Sequence, residues 1–166
     1  MINFYGVKNA VCLYFVNHVF VGTKYFKIKR KLLQLRGFKI GEGTKVVGPI
    51  ICTGTLSIGK NCWIGKNFHV NGNGHVKVGD NCDIAPDVIL STGGHKIGDA
   101  ERRAGEGEIF NITIESGTWI GTRVTVINNT TVGKSCVVAA CACITKDVPD
   151  NLLVGGIPAK ILRELH

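Results

Sequence analysis

A chain of 166 residues is long enough for one domain with a sizeable hydrophobic core, and too short for several. Its formal net charge is +8, but the charge is unevenly placed: residues 1–39 hold eight Lys and Arg and no acid, whereas the remainder holds twelve of each sign. The seven cysteines include no C-x-x-C pair, which argues against a zinc site or a disulfide framework and favours buried free thiols in a reducing compartment.

The first 39 residues predict a basic helical arm. Tyr25, Ile28, Leu32 and Leu35 fall on one helical face, and the basic residues lie elsewhere around the helix. One interpretation is a helix that caps the open end of the following domain; another is a basic surface that rests on an anionic membrane, and the two are compatible. No signal peptide is visible, and the apolar run over residues 10–21 is too short to span a bilayer.

From residue 40 onward an aliphatic residue returns at every sixth position. The beat is clearest from Ile114 to Ile144, and it also holds over residues 40–70 and, after a slip of two, over residues 78–90. A helix has a period of 3.6 and a plain strand a period of 2, so neither produces this pattern, which is typical of a solenoid of short strands. Fifteen hexads at three faces per turn predict about five coils of a triangular prism over residues 40–166.

The beat fails between Leu90 and Ile114, where Lys96, Arg102 and Glu108 occupy the aliphatic positions. The segment over about residues 96–111 is therefore predicted to leave the prism as a loop. Long polar loops on a rigid scaffold are commonly functional.

Six short motifs occur in a fixed order along the prism. They are Val70-Asn71-Gly72-Asn73, Gly94-His95, Arg102-x-x-Gly105-Glu106, Trp119-Ile120-Gly121-Thr122, Thr145-Lys146-Asp147-Val148-Pro149 and Gly156-Ile157-Pro158-Ala159-Lys160. In this order the chain resembles the hexapeptide-repeat acetyltransferases, in the branch of the maltose, galactoside and surface-polysaccharide O-acetyltransferases. The resemblance implies an all-β fold, a left-handed parallel β-helix of about five coils with a protruding loop, the N-terminal arm and a short C-terminal helix.

The chemistry of acetyl transfer to a sugar needs a base, because a hydroxyl is a poor nucleophile at neutral pH. An imidazole is suited to this role. Of the five histidines, His95 alone stands where the prism gives way to the loop. The residues alone leave open a surface or hydrogen-bonded structural histidine, whereas the resemblance implies that His95 is the catalytic base.

Two further residues are candidates for the acceptor side of the site. The resemblance places Asn71 beside the reaction centre, and the alternative is a corner residue in the left-handed region, which asparagine tolerates. Glu106 is a candidate to orient His95 through the second ring nitrogen, and the alternative is a solvated loop acid.

The resemblance implies acetyl-CoA as co-substrate, with no metal. It assigns donor contacts to Thr122, Ala140, Thr145, Lys146, Lys160 and Arg163. The main-chain amide of Thr122 would face the thioester oxygen, and Lys146, Lys160 and Arg163 could meet phosphate groups, although all three are also ordinary surface residues.

The sequence as a whole therefore predicts a cytoplasmic acetyl-CoA-dependent O-acetyltransferase that modifies a sugar hydroxyl of a surface polysaccharide or its precursor by direct transfer. The resemblance implies a homotrimer, and the arm suggests a peripheral position at the inner face of the membrane, without nucleic acid as a partner. Alternatives are a serine, amino-sugar or antibiotic acceptor, a carbonic-anhydrase-like metalloprotein using His69, His75 and His95, and a non-catalytic scaffold that binds membrane or nucleic acid through the arm.

Overall fold

The structure is a computed structural model that describes residues 4–166. The chain begins with α1 (Phe4–Tyr14), which continues into one π-helical turn (Phe15–Val19) and is followed by α2 (Phe26–Arg36). The second helix ends at Gly37, whose φ of 108° lets its N–H bond to the carbonyls of Leu33 and Gln34. The chain then enters the first strand directly.

Strands make up most of the remaining chain. In residues 4–166 they are β1 (Lys39–Ile40), β2 (Lys45–Val46), β3 (Ile50–Cys52), β4 (Thr55–Ile58), β5 (Trp63–Ile64), β6 (Phe68–Asn71), β7 (His75–Val78), β8 (Asp83–Ile84), β9 (Ile89–Ser91), β10 (Gly93–Ile97), β11 (Ala104–Ile109), β12 (Asn111–Ile114), β13 (Trp119–Ile120), β14 (Thr125–Ile127), β15 (Thr130–Val132), β16 (Val137–Val138), β17 (Cys143–Ile144), β18 (Leu152–Gly156) and β19 (Ala159–Glu164).

Three parallel sheets form the faces of a prism. Sheet A has the order β1-β4-β7-β12-β15, sheet B the order β2-β5-β8-β13-β16-β18, and sheet C the order β3-β6-β9-β14-β17. Each coil gives one strand to each sheet, so the chain winds through five full coils. A bridge from Val132 to Val148 and the strand β18 add part of a sixth coil beyond the predicted five.

The residues of the six-residue beat point inward and stack from coil to coil. In sheet A, for example, Ile58, Val78, Ile114 and Val132 lie in register and are at most 3% exposed. Stacked aliphatic side chains exclude water along the axis of the prism, and this burial is the main stabilising contribution. The predicted parallel β-helix is confirmed.

A second inward column runs along the corner between sheets A and B, and it is polar. Thr44 Oγ1 accepts the Cys62 N–H at 3.0 Å, Cys62 Sγ accepts the Cys82 N–H at 3.5 Å, and Thr118 Oγ1 accepts the Cys136 N–H at 3.1 Å. The three thiols in turn donate to carbonyl oxygens of a neighbouring coil. These cysteines are buried and free, so they satisfy the backbone of the corner without cross-links.

The segment predicted to leave the prism as a loop over about residues 96–111 does leave it, over residues 93–109, and forms a two-stranded antiparallel hairpin of β10 and β11. The departure begins at Gly93, three residues early. Both faces of the hairpin are largely solvated, and Ile97 is 88% and Ile109 64% exposed. Its strands therefore lack the apolar alternation that would have marked them in the sequence.

The predicted short C-terminal helix is wrong, because the last residues form β19, antiparallel to β18. Gly156, with a φ of 102°, and Pro158 make the turn between them. The open edge of β18 would otherwise expose unpaired backbone groups at the end of sheet B, and β19 pairs with it.

The arm packs against the first coil. Val16 and Leu33 belong to the hydrophobic core. Asn17 pairs with the backbone of Ile50 through two hydrogen bonds of 2.8 and 2.9 Å. No helix in residues 4–166 combines the length and hydropathy needed to cross a bilayer.

Candidate active site

The base of the β10–β11 hairpin is shaped by close backbone approaches. A side chain at Gly94 would come within 2.7 Å of the Phe110 ring, and one at Gly72 within 2.5 Å of the Gly93 backbone. These glycines let β10 leave the prism tightly against β6. As a result, His95 stands at the foot of the hairpin and not out on its tip.

The imidazole of His95 is held by one hydrogen bond. Its Nδ1 lies 2.9 Å from the carbonyl oxygen of Gly105 on β11. A carbonyl can only accept, so Nδ1 carries the proton and the neutral ring keeps its lone pair on Nε2. The ring is exposed and lines a cleft of about 410 Å³ together with Asn73 and Glu108. This arrangement can accept a proton from a molecule bound in the cleft.

Glu106 does not take the position predicted for it beside His95. Its carboxylate instead forms an exposed ion pair with Lys96, at 2.6 Å. The ring nitrogen that it was to orient is already bonded to the Gly105 carbonyl. The structure therefore supports the alternative of a solvated acid on the hairpin.

Asn71 ends β6 at the same corner of the prism as His95, between sheets C and A. Its carbonyl accepts the Thr92 N–H at 2.6 Å and the Thr92 hydroxyl at 3.0 Å, which fixes its backbone beneath the hairpin. The left-handed conformation at this corner belongs to Gly72, with a φ of 100°. The corner explanation for the asparagine is therefore wrong, and its exposed amide remains available to a ligand.

Three of the predicted donor residues share one cleft at the open end of the prism. Thr145, Lys146 and Lys160 line a cavity of about 440 Å³ between the fifth coil and the β18–β19 hairpin. Both lysines are exposed. The cleft therefore presents two mobile cations beside a threonine, which suits a phosphate group.

Thr122 and Ala140 lie at the corner between sheets B and C, in successive coils. The Thr122 hydroxyl donates to the Pro86 carbonyl at 2.9 Å, and its own carbonyl accepts the Cys141 N–H at 2.8 Å. Within residues 4–166 the Thr122 N–H has no hydrogen-bond partner. This free main-chain donor is the group that the predicted oxyanion contact requires.

Comparison with known proteins gives a consistent picture, although no family model matches the chain. Galactoside O-acetyltransferase of Escherichia coli K12 is 37% identical over 133 residues, which cover 76% of this chain and 64% of that protein. Polysialic acid O-acetyltransferase of E. coli O1:K1 is 33% identical over 129 residues, covering 75% of this chain and 42% of that protein.

A solved structure of a hexapeptide-repeat acetyltransferase from Vibrio cholerae, in complex with acetyl-CoA, superimposes with a TM-score of 0.78 at 26% identity, covering 98% of this chain and 87% of the other. The chain belongs to the hexapeptide-repeat acetyltransferase family. This confirms the resemblance inferred from the motifs. The chain spans less than two thirds of the two E. coli relatives.

The candidate residues are spread over the prism. His95 and Asn71 lie at the corner between sheets C and A, whereas Thr122 and Ala140 lie at the corner between sheets B and C. Arg163 is exposed on β19 opposite Leu153 and does not line the lysine cleft. The described residues contain no group of three metal-ligating side chains. Within a single chain, the His95 ring and the Thr122 amide therefore lie at different corners of the prism.

Sequence analysis of this family member missed a pocket on the outer face of sheet B. Trp63, Asp83 and Trp119 are in register on neighbouring strands and line a cavity of about 430 Å³. Each of the three residues directly precedes an inward aliphatic residue of its hexad. This shared position is the sequence signal from which the pocket could have been predicted.

Proposed function

We propose that the protein is an acetyl-CoA-dependent O-acetyltransferase that transfers the acetyl group directly to a sugar hydroxyl, with His95 as general base. The observation that supports this proposal most directly is the hydrogen bond from Nδ1–H of His95 to the Gly105 carbonyl. It leaves the lone pair on Nε2 of the exposed ring free beside a cleft. Membership of the hexapeptide-repeat acetyltransferase family and the acetyl-CoA bound to the V. cholerae protein support the choice of donor.

In this mechanism Nε2 removes the hydroxyl proton as the sugar oxygen attacks the thioester carbon. The main-chain N–H of Thr122 stabilises the negative charge that develops on the carbonyl oxygen. The carbon–sulfur bond then breaks, and the imidazolium returns the proton to the departing CoA thiolate. Asn71 holds the acceptor through its side-chain amide.

The donor binds along the prism towards its open end. Lys146 and Lys160, with Thr145, meet the phosphate groups of CoA, because charge-assisted contacts to phosphate are among the stronger polar interactions. Ala140 contacts the pantetheine arm beside Thr122, and Arg163 adds a further cation on the adjacent hairpin.

The active form is a homotrimer. Because His95 and Thr122 lie at different corners of one prism, a site that uses both groups forms where the corner of one copy meets the other corner of its neighbour. Three such contacts close a ring with threefold symmetry.

The acceptor belongs to a surface polysaccharide or its precursor. The related polysialic acid O-acetyltransferase supports a saccharide, and the basic arm supports work at the cytoplasmic face of the membrane, where residues 1–39 make a peripheral contact.

Replacing His95 by Ala tests the proposal. We expect the transfer rate to fall about 10²- to 10⁴-fold, because the hydroxyl loses its base, while CoA still raises the melting temperature as in the unmodified protein. Free thiol released from acetyl-CoA in a panel of saccharides, amino sugars and serine provides the readout. An unchanged rate in the variant would rule out the base, and the absence of a CoA-induced shift in the unmodified protein would favour a non-catalytic scaffold.

A further inference from the structure

The exposed surface of the arm combines apolar side chains with exposed lysines. Nine of the sixteen large apolar side chains that are exposed in residues 6–166 belong to it. They are Val7, Val11, Tyr14, Phe15, Val19, Val21, Tyr25, Ile28 and Leu35, each between 39% and 59% exposed. We call this set, together with the exposed Lys24, Lys27 and Lys31, the outer surface of the arm. A patch of this kind on a folded protein marks an interaction site.

Aromatic rings connect the two helices across this surface. Tyr14, Phe15, Phe20 and Tyr25 form a chain of ring contacts with centroid separations of 6.1, 6.1 and 5.5 Å. Tyr14 and Tyr25 are both more than half exposed. Rings with an apolar body and a polar tip are enriched where a protein meets the boundary between lipid and water.

None of the three lysines of the outer surface forms an ion pair with a carboxylate in the described part of the chain. The ion pairs there join Lys77 to Glu115 and Lys96 to Glu106, both far along the prism. Lys24, Lys27 and Lys31 are exposed and lie within a segment that contains no acid at all. Their charge is therefore available to an anionic partner.

A groove opens in the same surface between α2 and the first coil. Its volume is about 690 Å³, and its lining includes the apolar Tyr25, Phe26 and Ile28, the cations Lys27, Arg30 and Lys45, and one acid, Glu42. Apolar walls with an excess of positive charge match an amphiphile that has a hydrocarbon portion and a negatively charged headgroup.

The surface is rigidly attached and not a loose tail. The Lys29 ammonium is buried and donates to the carbonyls of Gly22 and Val47 at 2.6 and 2.9 Å, which ties α2 and the preceding loop to the first coil. Together with the paired bonds of Asn17, this contact fixes which side of the arm faces outward.

From these observations we infer that the outer surface of the arm binds the surface of an anionic lipid bilayer. A second copy of the chain docked arm to arm is a poor occupant, because that contact would bring another basic segment without any acid against this surface. Nucleic acid would match the charge but not the exposed valines and phenylalanine, which gain by entering lipid. This inference deepens the peripheral membrane contact of the proposed function. It rests on the proposed function for one point only, which is the nature of the acceptor.

Vesicle flotation with the full-length chain tests this inference, without CoA or acceptor present. The vesicles contain phosphatidylcholine alone or mixed with phosphatidylglycerol. We expect binding to the anionic vesicles that weakens with salt. The double variant Lys27→Glu/Lys31→Glu should bind at least about 20-fold more weakly, because each basic side chain near an anionic surface contributes severalfold to binding. The double variant Lys66→Glu/Lys134→Glu changes the net charge equally on exposed prism positions and should bind like the unmodified protein.

A second pair of measurements separates a bilayer from other partners. The double variant Val11→Ser/Tyr14→Ser removes exposed apolar side chains and should lose vesicle binding while its retention on immobilised heparin stays unchanged. Vesicle binding equal to that of the unmodified protein would mean that only charge is read, and would overturn the inference. The inference would also be overturned if the unmodified protein did not bind vesicles and the variant formed a smaller oligomer than the unmodified protein. Acetyl transfer to a soluble saccharide is measured separately, so its failure would count against the proposed enzyme and not against this surface.

Discussion

At the scale of single residues, the site depends on one hydrogen bond that crosses the hairpin. Gly105 holds the His95 ring from ten residues away, so the bond exists only when β10 and β11 pair. His95 itself could be predicted from the sequence, because it follows a glycine pair where the hexad beat fails. Its hydrogen-bond partner could not be predicted. Whether Glu106 or a neighbouring carbonyl bonds to the ring depends on the direction of side chains in β11, and no apolar pattern in the sequence indicates that strand.

We expect Gly94→Ala to reduce turnover while the prism stays folded. The new methyl group would lie 2.7 Å from the half-buried Phe110 ring, so either that ring turns aside at the base of the hairpin or β10 shifts and takes His95 with it. A misplacement of about 1 Å can cost about 10²-fold in rate. Steady-state kinetics with acetyl-CoA, alongside a thermal melt, provide the measurement.

Gly107→Ala is the matched comparison on the opposite strand of the hairpin. A methyl group there has open space, with nothing within 4 Å. Its effect on turnover should be much smaller than that of Gly94→Ala. Equal losses in the two variants would contradict the steric argument.

At the scale of elements, burial decided what the sequence could reveal. Every strand of the five full coils carries one buried residue of the six-residue beat, so the beat predicts these strands, whereas β18 of the partial sixth coil lies outside it. The strands β10, β11 and β19 bury neither face, so they carry no such signal, and two hairpins were taken for a loop and a helix. The polar column at the corner of sheets A and B was partly visible, because Cys62, Cys82 and Cys136 recur at the small inward position.

The attachment of the arm depends on a buried lysine, and its removal should destabilise the protein. In Lys29→Met the buried carbonyl of Val47 and the part-buried carbonyl of Gly22 lose their donor, which costs about 1–3 kcal/mol if water does not replace the ammonium. Denaturant titration of both proteins measures the difference in the free energy of unfolding. A variant as stable as the unmodified chain would show that water replaces the ammonium at no cost.

The same pair of proteins should respond differently to pH. Burial lowers the pKa of Lys29 below its ordinary value of 10.5, so between the two values the unfolded chain binds more protons than the folded one. The contribution of this group to stability therefore rises as the pH rises through that window. The stability of the unmodified protein relative to Lys29→Met should increase from neutral pH towards 10.5. A decrease would mean that the charged form is the favoured one in the fold.

At the scale of the whole molecule, the distribution of the candidate residues makes a shared site testable. A chain carrying His95→Ala and a chain carrying Thr122→Pro, which lacks the main-chain N–H, should each be inactive. If each site combines His95 of one copy with Thr122 of its neighbour, co-expression of the two variants restores some sites. These are the sites where the Thr122→Pro chain supplies His95 and the His95→Ala chain supplies the main-chain N–H of Thr122. Random mixing then restores about a quarter of the sites in a cyclic oligomer.

The kinetic readout of this mixture distinguishes the two arrangements. Sites built within one chain always contain one of the two defects, so no recovery is expected for them. Light scattering on the same sample gives the number of chains and checks that mixed oligomers form.

The hairpin leaves the prism after the third coil, and the arm lies against the first. Neighbouring coils are about 4.8 Å apart, and a helix layer is about 10 Å thick. With the arm on a bilayer and the prism axis along the bilayer normal, His95 would stand about 20 Å above the lipid. The number of coils between the arm and the hairpin would then set the height of the imidazole above the lipid. Sugars next to the lipid anchor would lie below the imidazole, and only those farther along the glycan would come within its reach.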